Sequence, residues 1–224
     1  MSFCARDLLA PLLPKARFAG VTLRFLFAHG AGAPSFSAWM RRYAALLGAI
    51  GSVRAFDYPY ARAGTARKAP DKLEVLVGAH RAELAALQAE SEPGDKLLLA
   101  GKSMGGRIGC HLALEADVAA RVAGLICFGY PLRGQNGKLR DEVLLGLHTP
   151  VLFVQGTRDA LCSLPELEQV RKRMTARSEL FVVESGDHSL EATKTSLKQR
   201  GTTQADVELA VLAAVREFCA SLAV

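Results

Sequence analysis

Short runs of apolar residues alternate along this chain with longer segments whose apolar residues recur at three- and four-residue spacing. The short runs are nearly all apolar, which is typical of strands buried on both faces of a parallel sheet, and the longer segments are typical of amphipathic helices. We predict strands over residues 21–28, 52–56, 96–100, 122–128, 150–154 and 179–183. We predict helices from Ser35 or Ser37 through Leu47, and over residues 71–90, 104–116, 165–174 and 205–220. This alternation predicts an α/β fold with a single doubly wound, mostly parallel sheet of about six strands and helices on both faces.

The whole pattern fits one domain. A chain of 224 residues has the size of a single domain, and no linker, repeat or low-complexity tract divides it. We assign the α/β domain to residues 21–224. Residues 1–20 form an N-terminal segment to which we assign no regular element, because Pro11 and Pro14 interrupt its apolar stretch.

The charge balance adds little to this prediction. The net charge is +6, but the basic residues are scattered and no basic run is interleaved with aromatic residues. We therefore expect no nucleic-acid partner. The apolar runs are too short to cross a membrane, so we expect no membrane partner either. The sequence does not determine an oligomeric state.

The cysteines indicate a compartment rather than a site. They are odd in number, widely spaced and without a Cys-x-x-Cys pair, so we expect no metal site. Unclustered cysteines in a long chain favour a reducing compartment, and the N-terminal residues show no uninterrupted apolar core of signal-peptide length. These features predict a cytoplasmic protein. The five cysteines are Cys4, Cys110, Cys127, Cys162 and Cys219.

One stretch in the middle of the chain carries a motif for chemistry. The apolar run that ends at Ala100 continues as Gly101-Lys102-Ser103-Met104-Gly105, and a helical pattern follows. Strand, Gly-x-Ser-x-Gly and helix together are the sequence form of a nucleophile elbow, a tight turn that lifts one serine above a parallel sheet. Lys102 is the unconstrained position of this motif.

Two cofactor motifs can be set aside. Gly30-Ala31-Gly32 lacks the third glycine of a dinucleotide-binding loop, because position 35 is serine. Gly101-Lys102-Ser103 lacks the first glycine of a phosphate-binding loop, because position 96 is lysine. We therefore predict no cofactor.

Ligands of a doubly wound sheet bind beyond the carboxyl ends of its strands, and three residues there form a coherent set. Ser103 is the candidate nucleophile, His188 the candidate base and Asp159 the candidate acid that orients the histidine. The order Ser, Asp, His is that of the α/β-hydrolases. The alternatives are a helix cap for Ser103, a surface loop for His188 and a turn for Asp159. Asp187 is a weaker candidate acid, because neighbouring side chains seldom point so that one supports the other.

An oxyanion formed at Ser103 needs preorganised donors. We predict the backbone N–H of Met104, at the start of the helix, and that of Ala31, with Gly30 or Gly32 as alternatives. His29, Gly30, Tyr58 and Tyr130 stand at strand ends and are predicted to contact substrate; for the tyrosines the alternative is core packing.

Five motifs occur in the order of a known fold family. They are His29-Gly30-Ala31-Gly32, the run 101–107, Tyr130-Pro131-Leu132, Gly156-Thr157-Arg158-Asp159 and Gly186-Asp187-His188-Ser189, and they span about residues 21–190. The chain resembles a compact α/β-hydrolase of the dienelactone-hydrolase-like kind. More narrowly, it resembles the group that includes testis-expressed protein 30 and the hydrolase-like domain of KAT8 regulatory NSL complex subunit 3.

The resemblance implies a hydrolase fold with Ser103, Asp159 and His188 in the triad positions. No long insertion follows Tyr130-Pro131-Leu132, where a lid would sit, which favours an open pocket for small, soluble acyl substrates. The leading hypothesis is therefore a serine hydrolase of carboxylic esters. A non-catalytic interaction module is an alternative, because one relative belongs to a chromatin-modifying assembly. A thioesterase or acyltransferase with the same triad is another.

Overall fold

The sheet has the predicted size and direction. The computed structural model describes residues 22–62, 69–134 and 136–222, and in them six strands pair in parallel in the order β2-β1-β3-β4-β5-β6. This confirms the doubly wound parallel α/β fold. The strands are β1 (Leu23–Ala28), β2 (Ser52–Phe56), β3 (Lys96–Lys102), β4 (Val122–Phe128), β5 (Val151–Gly156) and β6 (Ser178–Val183).

The helices follow the strands along the chain. They are α1 (Ala38–Gly48), α2 (Pro59–Arg62), α3 (Leu73–Ala89), α4 (Met104–Leu112), α5 (Ala116–Ala119), α6 (Glu142–Leu145), α7 (Leu164–Arg171), α8 (Lys194–Arg200) and α9 (Gln204–Ser221). Ser37, one of the two predicted caps, accepts the N–H of Met40 at the start of α1. Within the described residues, no helix is both long enough and apolar enough to cross a membrane.

Two apolar cores cover the two faces of the sheet. Buried residues of α1 and α9 pack on one face, and buried residues of α3, α4, α6 and α7 pack on the other. Strand β5 is buried along its whole length, as expected of a strand with helices on both sides. The four cysteines within the described part, Cys110, Cys127, Cys162 and Cys219, are buried free thiols.

The helices differ from the sequence prediction in two ways: the helix after the elbow is shorter, and the short helices α2, α5, α6 and α8 were not predicted. The helix after the elbow ends at Leu112, because Glu115 adopts an extended conformation and pairs with Arg81 of α3 before α5 begins. Helix α8 has no buried residue, so it shows no apolar periodicity in the sequence. The sequence marks this helix only at its ends. Thr193 caps the first turn, and Gly201 ends the helix with φ 62°. The predicted segment 1–20 lies outside the described residues.

The strand order places the elbow at the centre of the molecule. The order of the strands reverses between β1 and β3, which is the switch point where open α/β sheets bind ligands. Ala28 of β1 pairs with Gly101 of β3, so the loop after β1 lies beside the elbow.

Candidate active site

The turn at Ser103 requires a backbone conformation that residues other than glycine seldom adopt. Ser103 has φ 49° and ψ −113° between β3 and α4. A Cβ on Gly101 would lie 2.2 Å from the nitrogen of Gly106, and one on Gly105 would lie 2.4 Å from the oxygen of Ala28. The two glycines therefore allow α4 to pack directly against β1 and β3, and the strained serine is held at the tip of the turn.

Three predicted residues come together above the sheet. The Oγ of Ser103 lies 2.8 Å from Nε2 of His188, and Nδ1 of His188 lies 2.8 Å from Oδ2 of Asp159. Ser103 follows β3, Asp159 follows β5 and His188 follows β6, so the arrangement depends on the order of these strands in the sheet. The result is one hydrogen-bonded chain from hydroxyl to imidazole to carboxylate.

Asp159 is held by two donors besides His188. Its Oδ1 accepts the N–H of Leu161 at 2.8 Å, and its Oδ2 also accepts the side-chain amide of Gln155. The other end of that amide is fixed too, because Oε1 of Gln155 accepts the N–H of Tyr130 at 2.9 Å. The carboxylate therefore has a defined orientation within the core.

The loop that carries His188 is tied to the rest of the site from two sides. The amine of Lys102 donates to the carbonyl of His188, and Nε1 of Trp39 donates to the carbonyl of Ser189 at 2.8 Å. The amine also lies 5.4 Å from the centre of the Trp39 ring. The expectation that Lys102 is unconstrained is therefore wrong. Its amine reaches across the elbow and anchors the histidine loop.

Burial makes this lysine easier to deprotonate. Desolvation lowers the pKa of Lys102 to about 8, although the charges of Asp159 and Asp187 act in the opposite direction. The folded protein therefore disfavours the ammonium form, which is the charged form of this side chain.

The predicted oxyanion donors lie at the expected places in the fold. Met104 is the first residue of α4, so its N–H has no partner within the helix. Ala31 lies in the loop after β1 and lines two cavities together with Ser103.

Three residues predicted to contact substrate are instead part of the core. His29, Tyr58 and Tyr130 are each 0% exposed, so direct contact with a substrate is closed to them and that prediction is wrong for all three. Nε2 of His29 accepts the N–H of Tyr58 at 3.2 Å, and burial lowers the pKa of His29. Nδ1 lies 2.7 Å from the carbonyl of Gly30, to which the neutral ring donates. His29 therefore supports the loop after β1 through hydrogen bonds to the backbone of Gly30 and Tyr58.

Two cavities open on either side of Ser103. The first, which we call the tryptophan-side cavity, has a volume of about 350 Å³ and is lined by Gly30, Trp39, Met40, Lys102 and His188, among others. The second, which we call the arginine-lined cavity, has a volume of about 340 Å³ and contains Arg107, Arg133 and Arg140. Gly30 lines the first cavity, and its contact with substrate stays a prediction.

Other titratable residues near the site have local roles. Oδ1 of Asp187 accepts the N–H groups of Ser189 and Glu191 at 2.7 and 3.1 Å, so this carboxylate caps its own loop. His80 is fully buried, and desolvation lowers its pKa to about 3. Within the described part of the chain, no cluster of three or more His, Cys, Asp or Glu side chains is placed to hold a metal ion.

Sequence reasoning missed three residues of the site. Gln155 showed a usable signal, since it is a polar residue at the carboxyl end of an apolar strand. Trp39 and Leu161 showed none, because their roles depend on contacts between distant parts of the chain.

An open parallel sheet with a serine elbow at its switch point is the α/β-hydrolase fold. The family described as "Alpha/beta hydrolase domain" matches residues 21–220, and the chain belongs to this family. The narrower likeness to the testis-expressed protein 30 group stays a prediction.

Several solved structures share the fold, and they include a serine hydrolase and a serine hydrolase homologue. The chain is similar to an alpha-beta serine hydrolase homologue from Coxiella burnetii, with a TM-score of 0.65 and 17% identity over 86% of this chain and 84% of that chain. It is also similar to an α/β serine hydrolase without lid from Xanthomonas campestris, with a TM-score of 0.61 and 19% identity over 88% and 82%. For Est1E from Butyrivibrio proteoclasticus the TM-score is 0.61 and the identity 16%, over 90% and 88%.

Proposed function

We propose that this protein is a serine hydrolase that cleaves small carboxylic esters through Ser103, His188 and Asp159. The observation that carries the proposal is the continuous hydrogen-bonded chain from Ser103 through His188 to Asp159, with both distances at 2.8 Å. Such distances allow proton transfer without rearrangement. An interaction module needs no such chain, so the geometry favours a catalyst.

The first half of the reaction forms an acyl-enzyme. The Oγ of Ser103 attacks the acyl carbon while its proton moves to Nε2 of His188. Asp159 stabilises the resulting imidazolium through Nδ1. The N–H groups of Met104 and Ala31 donate to the oxyanion, and α4 points its positive end at the same place. When the tetrahedral species collapses, the imidazolium gives its proton to the departing alcohol.

The second half returns the enzyme to its starting state. A water molecule gives a proton to Nε2 of His188 and attacks the acyl carbon. Collapse of this second tetrahedral species releases the carboxylic acid and returns the proton to Ser103. A thioester or a second alcohol can enter the same cycle, so product analysis with added nucleophiles separates hydrolysis from acyl transfer.

The direct test uses a fluorophosphonate probe and 4-nitrophenyl esters of acetate, butyrate and octanoate. We expect the probe to label the peptide that contains Ser103 and the esters to be hydrolysed, with the shorter acyl chains preferred because the cavities are small. A protein that neither reacts with the probe nor hydrolyses any of the esters would contradict the proposal.

Replacing Lys102 by methionine tests whether the histidine loop must be anchored. We expect kcat/KM to fall about tenfold, which is ~1.4 kcal/mol and the scale of one hydrogen bond from a charged group. The free energy of unfolding at pH 7 should rise by about 1 kcal/mol, because methionine carries no charge to desolvate. The folded pKa of Lys102 lies near 8, below its usual 10.5, so the wild type itself becomes more stable as pH rises through this interval. The difference between the two proteins should therefore narrow above pH 8, as measured by urea unfolding.

Lys96 offers a matched control on the same strand. Its amine also donates to a backbone carbonyl, that of Leu222 at 2.6 Å, but at the opposite end of the sheet. We expect Lys96→Met to leave kcat/KM within about twofold. Equal losses in the two variants would show that Lys102 has no positioning role.

A further inference from the structure

The arginine-lined cavity begins at the proposed nucleophile and carries an excess of positive charge. It shares Ser103, Ala31 and Leu161 with the tryptophan-side cavity. Its charged lining consists of Arg107, Arg133, Arg140 and one carboxylate, Asp71. A molecule that places its ester bond at Ser103 can therefore extend into two cavities of different character.

Two of the four charged groups already have partners. The guanidinium of Arg133 pairs with both carboxylate oxygens of Glu166, with Nε at 2.9 Å from Oε2. Asp71 accepts the N–H of Tyr60 at 2.9 Å and so caps the first turn of α2. Among the described residues, neither Arg107 nor Arg140 has a carboxylate within 4.0 Å. With Arg133 paired to Glu166, the positive charges of Arg107 and Arg140 outnumber the single carboxylate of Asp71, so the cavity keeps a net positive charge.

Arg107 stands one turn of helix below the serine. Its N–H donates to the carbonyl of Ser103 at 3.1 Å, which fixes the position of its backbone relative to the nucleophile. Its Nη1 lies 3.1 Å from Nε2 of His111, and its buried Nε has no hydrogen-bond partner among the described residues. Burial lowers the pKa of Arg107, and the positive charge of Arg140 lowers it further. Both guanidinium-bearing residues line the same cavity, so their like charges oppose each other there.

The backbone of Arg140 is also held in place. Its N–H donates to the carbonyl of Leu132 at 2.8 Å, and its carbonyl accepts the hydroxyl of Tyr130 at 3.4 Å. Its side chain lies over Gly134, where a Cβ would approach Nη2 to 3.1 Å. Two like charges in one cavity, one of them with a buried nitrogen that has no hydrogen-bond partner among the described residues, cost folding free energy, and a bound anion would relieve that cost.

We propose that Arg107 and Arg140 bind an oxyanion, a carboxylate or a phosphate, carried by the substrate whose ester bond lies at Ser103. The planar guanidinium group suits both oxyanions, because its N–H groups match two acceptor oxygens. The anionic end of the substrate lies in the arginine-lined cavity and the uncharged remainder in the tryptophan-side cavity. This inference rests on the proposed function and names the substrate class for it: esters with one anionic group.

Matched pairs of substrates test this specificity. Glutarate mono-4-nitrophenyl ester is compared with 4-nitrophenyl pentanoate, which places the anion on the acyl side. The second pair, 4-acetoxybenzoate and its methyl ester, places the anion on the leaving group. We expect kcat/KM to favour the anionic member of at least one pair by tenfold or more, and the preference to weaken as salt rises.

Arginine variants then locate the effect. In Arg140→Gln the ratio of kcat/KM for the anionic over the neutral ester should fall at least tenfold. In Arg107→Lys, which keeps the charge but loses the fork of N–H groups, it should fall less. Arg121→Gln removes the same charge from an exposed residue just before β4, at the opposite end of the sheet, and should leave the ratio unchanged. No preference in the wild type, or a preference that Arg140→Gln retains, would overturn the proposal while hydrolysis itself stands.

A binding measurement separates this proposal from the proposed function. Calorimetry measures the binding of glutarate monomethyl ester and of propyl phosphate to two proteins. The first carries Ser103→Ala, and the second carries Ser103→Ala together with Arg140→Gln. We expect binding of at least one anion to the first and at least a tenfold loss of affinity in the second. If no ester is hydrolysed but an anion binds in this way, the proposed function fails and the anion site stands. If neither anion binds, the anion site is wrong.

Discussion

Ser103→Ala is expected to abolish ester hydrolysis, with kcat/KM for 4-nitrophenyl butyrate falling by about 10⁴-fold or more. The effect is large because alanine has no oxygen to form the acyl-enzyme, and no other described hydroxyl donates a hydrogen bond to Nε2 of His188. Labelling by the fluorophosphonate probe should vanish with it. The free energy of unfolding should change by less than about 1 kcal/mol, because the substitution removes only the Oγ atom of a residue that is not part of the core.

Ser185 is a matched control for this substitution. It is also a serine with positive φ, 60°, in a turn after β6, and its hydroxyl lies 3.2 Å from that of Thr193. Ser185→Ala should keep probe labelling and kcat/KM within about twofold of the wild type. If Ser103→Ala retained labelling, or hydrolysed the ester at the rate of the Ser185 variant, another nucleophile would be responsible and the proposed mechanism would be wrong.

Asp159→Asn is expected to lower kcat/KM by about 10³- to 10⁴-fold and to destabilise the fold by about 1–3 kcal/mol. The carboxylate accepts three N–H groups: those of Leu161, Gln155 and His188. An asparagine has only one acceptor oxygen. With its oxygen toward Leu161, the amide nitrogen faces both Gln155 and His188; with the amide turned over, it faces the N–H of Leu161. Either orientation sets donor against donor in the core.

The kinetic part of this loss follows from the histidine. In the first orientation the introduced amide donates to Nδ1 of His188, so Nδ1 must be the unprotonated nitrogen of the ring. The proton then lies on Nε2, which faces Ser103. That tautomer cannot accept the serine proton. The pH profile of kcat/KM and urea unfolding of the same samples measure the two effects separately.

Asp187→Asn provides the comparison, because Asp187 is adjacent to His188 in the chain. Its Oδ1 accepts two backbone N–H groups, and an asparagine oxygen can accept the same two. We expect this variant to keep kcat/KM within about threefold. Equal losses at Asp159 and Asp187 would contradict the assignment of Asp159 as the residue that orients the imidazole.

The stability cost of the site is concentrated in a few residues. Ser103 holds a strained backbone, Lys102 keeps an ammonium where desolvation disfavours it, and Arg107 shares a cavity with a second arginine that has no carboxylate partner among the described residues. The surrounding elements, above all the buried strands β3, β4 and β5, retain this arrangement. A site that costs folding free energy in this way is typical of function rather than of packing.

The sequence by itself determined the parts that depend on local pattern. Buried parallel strands must be apolar throughout, so all six strands were visible, with bounds close to the observed ones. An elbow must have glycine where helix and strands nearly touch, so Gly101 and Gly105 marked Ser103. Because parallel strands end at one edge, the residues after β5 and β6 were expected near the elbow, and Asp159 and His188 lie there.

Only the tertiary structure decided which side chains turn toward the site and which turn into the core. His29, Tyr58 and Tyr130 stand at strand ends, yet the packing of the loops buries them. Lys102 and Trp39 look ordinary in the sequence but meet the histidine loop across more than 80 intervening residues. The charge of the arginine-lined cavity likewise depends on which arginines have carboxylate partners. The burial of a side chain, its ion pairs and its direction arise from contacts between segments that are distant in the sequence. A local pattern of residues therefore does not predict them.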